Sequence, residues 1–224
     1  MFTKRGKAVR QLITHIKPKS QIAEQYRNIR TNIHFSTVGS DIRSILVTSP
    51  SAGEGKTTTI ANLAVVFGQQ GKKVLVIDAD MRKPTLHELF QVDTYYGLTS
   101  VLSGQASLEK CVQETDMENV SFLSSGPLPP NPAELLGFRM IEDVLQKAYQ
   151  QFDLILVDTP PVLAVTDAHI LANQCDGIIL VVRSESTEKE KAVKAKQVLE
   201  HASGKVLGVI LNAKEESKSK YGYY

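Results

Sequence analysis

Six segments of the chain are apolar almost throughout instead of alternating with polar positions. They are Arg43 to Ser49, Lys73 to Asp80, Val120 to Leu123, Phe152 to Asp158, Gly177 to Val182 and Val206 to Leu211. Unbroken apolar runs of this length predict strands covered on both faces. Between them the spacing becomes helical. A helix from Ser20 carries Ile22, Tyr26, Ile29 and Ile33 on one stripe, and another follows the first strand to about Gln70, closed by Gly71. Shorter helices are expected after Met81-Arg82-Lys83-Pro84 and over Gly97 to Gly104. Pro127 to Pro132 reads as a rigid loop, followed by helices over 133–150, Asp167 to Asn173 and Thr187 to Ala202. Strands that alternate with helices predict an α/β fold, doubly wound, with a mostly parallel sheet and helices on both faces. Ligands of such sheets sit at the carboxyl ends of the strands.

The helix from Ser20 has a second face. At about 100° per residue, Glu24 falls opposite the apolar stripe, while Arg27 and Arg30 step around its side. The residues by themselves support an intrahelical Glu24–Arg27 pair, worth a few tenths of a kcal/mol.

Composition changes this picture little. The 224 residues, 42% hydrophobic and 22% charged, suffice for one substantial soluble domain over 20–213. A net charge of +2 argues neither for nor against nucleic acid, and no nucleic-acid partner is expected. The basic excess is local: Lys4, Arg5, Lys7, Arg10, Lys17 and Lys19 crowd residues 1–19, which read as a flexible, solvated arm. Attraction of that arm to an anionic membrane face is the minority reading. Cys111 and Cys175 are far apart and form no C-x-x-C, which points to a reducing compartment without a disulfide framework. No apolar run approaches the ~18 residues of a membrane span. The expected location is therefore cytoplasmic, with any membrane tie supplied by a partner. Residues 214–224 are polar and end in Tyr221-Gly222-Tyr223-Tyr224, which reads as a flexible tail.

The candidate chemistry begins at Ser49-Pro50-Ser51-Ala52-Gly53-Glu54-Gly55-Lys56-Thr57-Thr58, between an apolar strand and an apolar helix. A glycine turn there aims backbone N–H groups and a helix N-terminus at a phosphate chain. Lys56 can reach the β- and γ-phosphates, and the Thr57 hydroxyl can bind Mg²⁺. Pro50 stands where the usual pattern has Gly. Asp78, Asp80 and Asp158 end apolar strands and could join Thr57 around the cation. Phosphoryl transfer depends on positioning and charge neutralisation, so a tyrosine acceptor needs little more than a carboxylate to orient it. Asp78 is the first candidate for that role and Asp80 the second. The twelve residues from Asn212 to Tyr224 span up to ~40 Å when extended. The tail tyrosines Tyr221, Tyr223 and Tyr224 could therefore reach the nucleotide of a neighbouring copy.

These residues resemble the bacterial tyrosine kinases of the polysaccharide co-polymerase type, specifically the separate cytoplasmic kinase subunit, a P-loop NTPase related to ParA and MinD. The resemblance rests on E-x-x-R-x-x-R at Glu24, Arg27 and Arg30, and on S-x-G-E-G-K-T-T at 51–58. It also rests on V-L-V-I-D-A-D-M-R-K-P at 74–84, P-P-N-P-A-E-L-L at 129–136, I-L-V-D-T-P-P at 155–161, and the terminal tyrosines. It implies ATP and Mg²⁺, with ATP held by Ser51, Ala52, Gly53, Glu54, Gly55, Lys56, Thr57 and Thr58, and with Asn212 near the adenine. It further implies Walker A′ acids at Asp78 and Asp80 and a Walker B acid at Asp158. Tyrosine autophosphorylation in trans within a ring, commonly an octamer, would follow, with Glu24, Arg27 and Arg30 docking against a neighbour. A membrane modulator would activate the kinase through its cytoplasmic tail, in the service of capsular or exopolysaccharide export. Lys189, Lys191, Lys194 and Lys196 could correspond to the family's basic cluster or simply form a solvated helix face.

The nearest rival is a ParA/MinD-type ATPase, but Ser51 stands where those proteins carry a signature lysine, and they lack the tyrosine tail. A metal-cluster carrier would want paired cysteines. A nucleotide-switched scaffold of the export machinery is a third reading compatible with the same motifs.

Overall fold

The computed structural model describes residues 12–215, apart from the side chains of Phe138 and Arg139. Its strands are β1 (Ser44–Thr48), β2 (Val74–Asp78), β3 (Val112–Glu114), β4 (Val120–Leu123), β5 (Leu154–Asp158), β6 (Gly177–Arg183) and β7 (Lys205–Asn212). They form one sheet in the order β3-β4-β2-β5-β1-β6-β7, parallel except for the antiparallel edge strand β3. Before β1 lie α1 (Ile13–Ile16) and α2 (Gln21–Thr37), and α3 (Lys56–Gly68) links β1 to β2. Between β2 and β5 come α4 (Leu86–Phe90), α5 (Leu98–Leu102), α6 (Leu108–Cys111), α7 (Pro132–Leu135) and α8 (Phe138–Ala148). The chain then adds α9 (Asp167–Ala172) and α10 (Lys189–Glu200).

The strand pattern divides the core. Ile45 and Val47 pack on one face of the sheet with α3, while Leu46 packs on the other. Val74, Val76, Leu154 and Leu156 join the first face, and Leu75, Ile77, Ile155 and Val157 join the second. Every residue of β1, β2 and β5 is buried, as continuous apolar runs require when helices cover both sides. Helix α3 is buried from Thr59 to Gly68, so it is apolar all round instead of amphipathic. The registers fix the working edge: Val47 pairs with Asp158, and Asp158 with Asp78. The carboxyl ends of β1, β2 and β5 therefore finish level. Chain order reverses at β1 and β5, the place where doubly wound sheets bind ligands.

Four expectations need correction. The arm drawn over 1–19 is too long, because Leu12 is buried and Thr14 is fastened to α3: its N–H and hydroxyl both donate to Asn62 Oδ1, at 3.1 and 2.8 Å. Residues 1–11 lie outside the described residues. The helix expected over 133–150 is two, because Gly137 takes an extended backbone between α7 and α8. The stripe on α2 is rotated, with Ala23 buried beside Tyr26 and Ile33 while Ile22 is 53% exposed. Strand β3 is an addition to the expected strands, since two half-exposed residues and one exposed residue carry no readable period.

Candidate active site

The chain leaves β1 at Thr48 and enters α3 at Lys56, with Gly53 and Gly55 at φ +83° and +91°. Gly55 is required for two reasons. Its backbone is left-handed, and a Cβ there would lie 2.1 Å from Asn212 Nδ2. The loop is braced from several sides. Asn212 Nδ2 donates to Glu54 O at 2.9 Å, Val162 N to Ser49 O at 2.9 Å, and Ser49 Oγ to Ser51 O at 2.7 Å. Glu54 folds its buried carboxylate back into the loop and accepts from Ser51 N at 3.0 Å. Arg183 Nη1 reaches Gly53 O at 3.4 Å from the end of β6.

The first turn of α3 meets the strand-end acids. Lys56 Nζ lies 3.2 Å from Asp158 Oδ1, 3.4 Å from Asp80 Oδ2 and 3.2 Å from Thr57 Oγ1. Thr57 Oγ1 donates to Asp158 Oδ2 at 2.9 Å. Burial works against the ammonium of Lys56, but Asp158 and Asp80 outweigh it and hold its pKa above the usual lysine range. Asp158 is raised by its complete burial, an effect that Lys56 and Thr57 offset only in part.

Asp78 is placed differently. It is fully buried, its Oδ1 accepts from Asp80 N and its Oδ2 from Leu86 N, both at 3.2 Å. Burial, and then the neighbouring Asp158 charge, push its pKa up to about 8. Both oxygens thus tie down the loop after β2, and it is Asp80 whose Oδ2 turns toward Lys56. Among the described residues, no three His, Cys, Asp or Glu side chains converge as a self-sufficient metal cluster. A hydroxyl beside a carboxylate is nevertheless the donor set of a Mg²⁺ completed by phosphate oxygens and water. Thr57 and Asp158 form such a pair. The left-handed glycine turn and the lysine at the head of a 13-residue helix fit a phosphate chain.

One pair of site residues escaped the sequence. Arg82 Nε and Nη2 donate to the two oxygens of Asp167, at 2.9 and 3.0 Å, while Asp80 Oδ1 accepts from Lys83 N. The fork joins the loop after β2 to the first residue of α9, and Asp167 is fully buried. The D-x-D-x-R spacing at 78–82 was the available signal, but nothing local pointed to a partner 85 positions away.

The remaining candidates lie apart from this cluster. On α2, Glu24 and Arg27 form the exposed i,i+3 pair at 2.6 Å, and Arg27 Nη1 also donates to Pro18 O. Arg30 Nη1 donates to Val66 O of α3 at 2.8 Å, so it anchors α2 within the chain. Lys191 and Lys196 on α10 pair with Glu188 and Glu200 in solvent. Tyr221, Tyr223 and Tyr224 lie outside the described residues.

A family profile described as "AAA domain" matches residues 42–201, which include the loop, the acids and α9. The tyrosine-protein kinase YwqD of Bacillus subtilis (strain 168) is 52% identical over 216 residues, covering 96% of this chain and 91% of that protein. Among solved structures, the kinase domain of the Escherichia coli tyrosine kinase ETK superposes with a TM-score of 0.89 at 32% identity, covering 99% of this chain and 88% of that one. The septum site-determining protein MinD of Pyrococcus horikoshii OT3, solved with Mg-ADP, gives 0.68 at 33% identity over 79% of this chain and 72% of that one. The loop and acids therefore sit on a frame common to this MinD and these kinases, and the two kinase matches cover more of this chain than the MinD match does. The chain belongs to the bacterial tyrosine-protein kinases, built on a P-loop NTPase fold.

Proposed function

We propose that this chain binds Mg-ATP in the loop 49–58 and transfers the γ-phosphoryl group to tyrosines, first of all Tyr221, Tyr223 and Tyr224 of an adjacent copy. The observation that carries the proposal is the meeting of Lys56, Thr57, Asp80 and Asp158 at the head of α3. Mg-ATP, when bound, supplies the phosphoryl group and the divalent charge that shields it. The loop amides and Lys56 orient the phosphates and neutralise the charge that spreads over the transferred group. Thr57 and Asp158 hold the cation. Asp80 orients the acceptor phenol and takes its proton, a role better suited to it than to Asp78, whose oxygens are engaged by backbone N–H groups. Asn212 ends β7 against the loop, so the tail begins next to the nucleotide cradle.

The family resemblance extends the proposal to a ring of copies, commonly eight, in which Glu24, Arg27 and Arg30 face a neighbour. It also supplies a membrane modulator whose cytoplasmic tail activates the kinase at the inner membrane face, and a role in capsular or exopolysaccharide export. No helix among the described residues is long and apolar enough to cross a membrane.

The test is to incubate the full chain with Mg-ATP and map its C-terminal peptide by mass spectrometry. Phosphate on Tyr221, Tyr223 or Tyr224 that disappears in Lys56→Met is the expected result. ATP hydrolysed with the tail left bare, in the presence of a modulator tail, would replace the kinase reading with an ATPase.

A further inference from the structure

Four of the seven tyrosines lie among the described residues, and their settings differ sharply. Tyr26 lies on the buried face of α2. Tyr149 donates its hydroxyl to Ser44 Oγ at 2.8 Å and stacks under the Arg43 guanidinium, 4.6 Å from the ring centroid. Tyr96 is held by the Lys110 ammonium, 4.6 Å from its ring, and its carbonyl accepts from Ser124 Oγ at 2.9 Å. Tyr95 protrudes furthest of the four: it is 81% exposed, against 46% for Tyr96, and among the described residues neither its ring nor its hydroxyl is held by a partner.

Its backbone is nevertheless fixed. Tyr95 N donates to Asp93 Oδ1 at 3.3 Å, and Gln113 Nε2 donates to Asp93 O at 3.0 Å. Just beyond, Leu98 N donates to Ser124 O at 2.7 Å. These bonds anchor the α4–α5 connection beside Leu123 and Ser124, where β4 ends. Because β4 runs parallel to β2, this is the same rim of the sheet that carries Asp80, Asp158 and the loop 49–58. The local sequence Tyr95-Tyr96-Gly97 also repeats the composition of the tail, adjacent tyrosines beside a glycine, as in Gly222-Tyr223-Tyr224.

We infer that Tyr95 is a further phosphoacceptor of this kinase, presented from the folded body of one copy to the active site of another. The inference rests on the kinase reading above. A fixed, protruding phenol loses less conformational entropy on docking than a free tail does. In the transfer, Tyr95 Oη forms a bond to the γ-phosphorus as the bond from that phosphorus to the β–γ bridging oxygen breaks. The bridging oxygen keeps the electron pair and leaves with ADP, and the phenol proton passes to Asp80 of the phosphorylating copy and then to solvent. The product places about −1.5 to −2 charges next to Tyr96 and its Lys110 contact.

Four full-length proteins are compared with Mg-ATP: the wild type, Tyr95→Phe, the Tyr221→Phe/Tyr223→Phe/Tyr224→Phe variant, and that triple variant with Tyr95→Phe added. The expected result is a phosphorylated tail and a phosphorylated Tyr95 peptide in the wild type, and retention of the Tyr95 phosphate in the triple variant. Labelling should fall to background when Tyr95→Phe is added, whereas Tyr95→Phe alone should leave tail labelling unchanged and so exclude misfolding. A labelled wild-type tail with an unlabelled Tyr95 peptide overturns this inference and leaves the kinase reading intact. Label on Tyr96 in place of Tyr95 overturns it as well. A wild type bare at both places, assayed with a modulator tail present, overturns the kinase reading and this inference together.

Discussion

Asp78 and Asp158 are register partners on adjacent strands, yet only Asp158 bonds to Lys56, while Asp78 is turned into the backbone of the loop that follows it. Two carboxylates at the same height of one sheet thereby take different duties. One faces Lys56 and Thr57 at the head of α3, and the other fastens the loop that carries Asp80.

The difference should appear in the pH dependence of stability. Asp78 is raised from its ordinary 3.8 to about 8, so the folded state holds a proton that the unfolded state has lost between these values. The stability associated with that proton is fully present below the unfolded pKa and disappears as pH rises through about 8. Thermal melts of the nucleotide-free protein should therefore fall as pH rises through this window, by an amount on the order of a few kcal/mol. Asp78→Asn should flatten the profile. A wild-type profile that climbs across the same range would refute the assignment.

Lys56 is the counter-charge of Asp80 and Asp158, and in the proposed function it also binds phosphate. Lys56→Met should abolish tyrosine phosphorylation and leave Asp80 and Asp158 facing each other without a cation. Removing one partner of a buried ion pair costs about 3–5 kcal/mol, so the nucleotide-free variant should melt well below the wild type. Added Mg²⁺ should raise the variant's melting temperature more than the wild type's. Equal responses in calorimetry would mean that Thr57 and Asp158 do not form a cation site.

Gly55→Ala tests the close approach of β7 to the loop. The substitution meets Asn212 Nδ2 and also needs a left-handed backbone, the latter costing roughly 1–2 kcal/mol. Nucleotide affinity by titration calorimetry should fall at least tenfold. Adding Asn212→Ala should recover the steric share of the loss and leave the backbone share. Full recovery would show that the backbone at Gly55 is not constrained.

The arginines of α2 should separate assembly from stability. The exposed Glu24–Arg27 pair is worth about 0–1 kcal/mol, so Arg27→Ala should leave the melt nearly unchanged. Arg30→Ala loses a charge-assisted bond to Val66 O and should cost about 1.5–3 kcal/mol. If these side chains face a neighbour, the double variant binds nucleotide but no longer forms large particles in light scattering. Particle mass equal to the wild type's would remove α2 from the interface.

Much of the fold was legible because its signals are local. The apolar runs of β1, β2 and β5, buried on both faces, had to be strands under helices, and the strand-glycine-lysine-helix order required a loop at their carboxyl end. The run Ser51 to Thr58 and the acids Asp78, Asp80 and Asp158 were readable for the same reason: each sits at a boundary between an apolar element and a polar turn. Where signals are not local, the reading failed. Thr14 bonds Asn62 across 48 positions, so a basic, polar beginning concealed an ordered segment. Arg82 could be paired with Asp167 only once β2 and the loop after β5 lay side by side.

The sequence by itself determined the element types, the parallel sheet and the identity of the phosphate loop, because hydrophobic period and glycine placement act over a few residues. Only the tertiary structure decided which acid meets Lys56, because two carboxylates ending neighbouring strands look alike until hydrogen bonds from Asp80 N and Leu86 N claim one of them. It alone separated Tyr95 from Tyr96 in the same way, since the degree of exposure and the reach of Lys110 over the Tyr96 ring depend on elements distant in the chain.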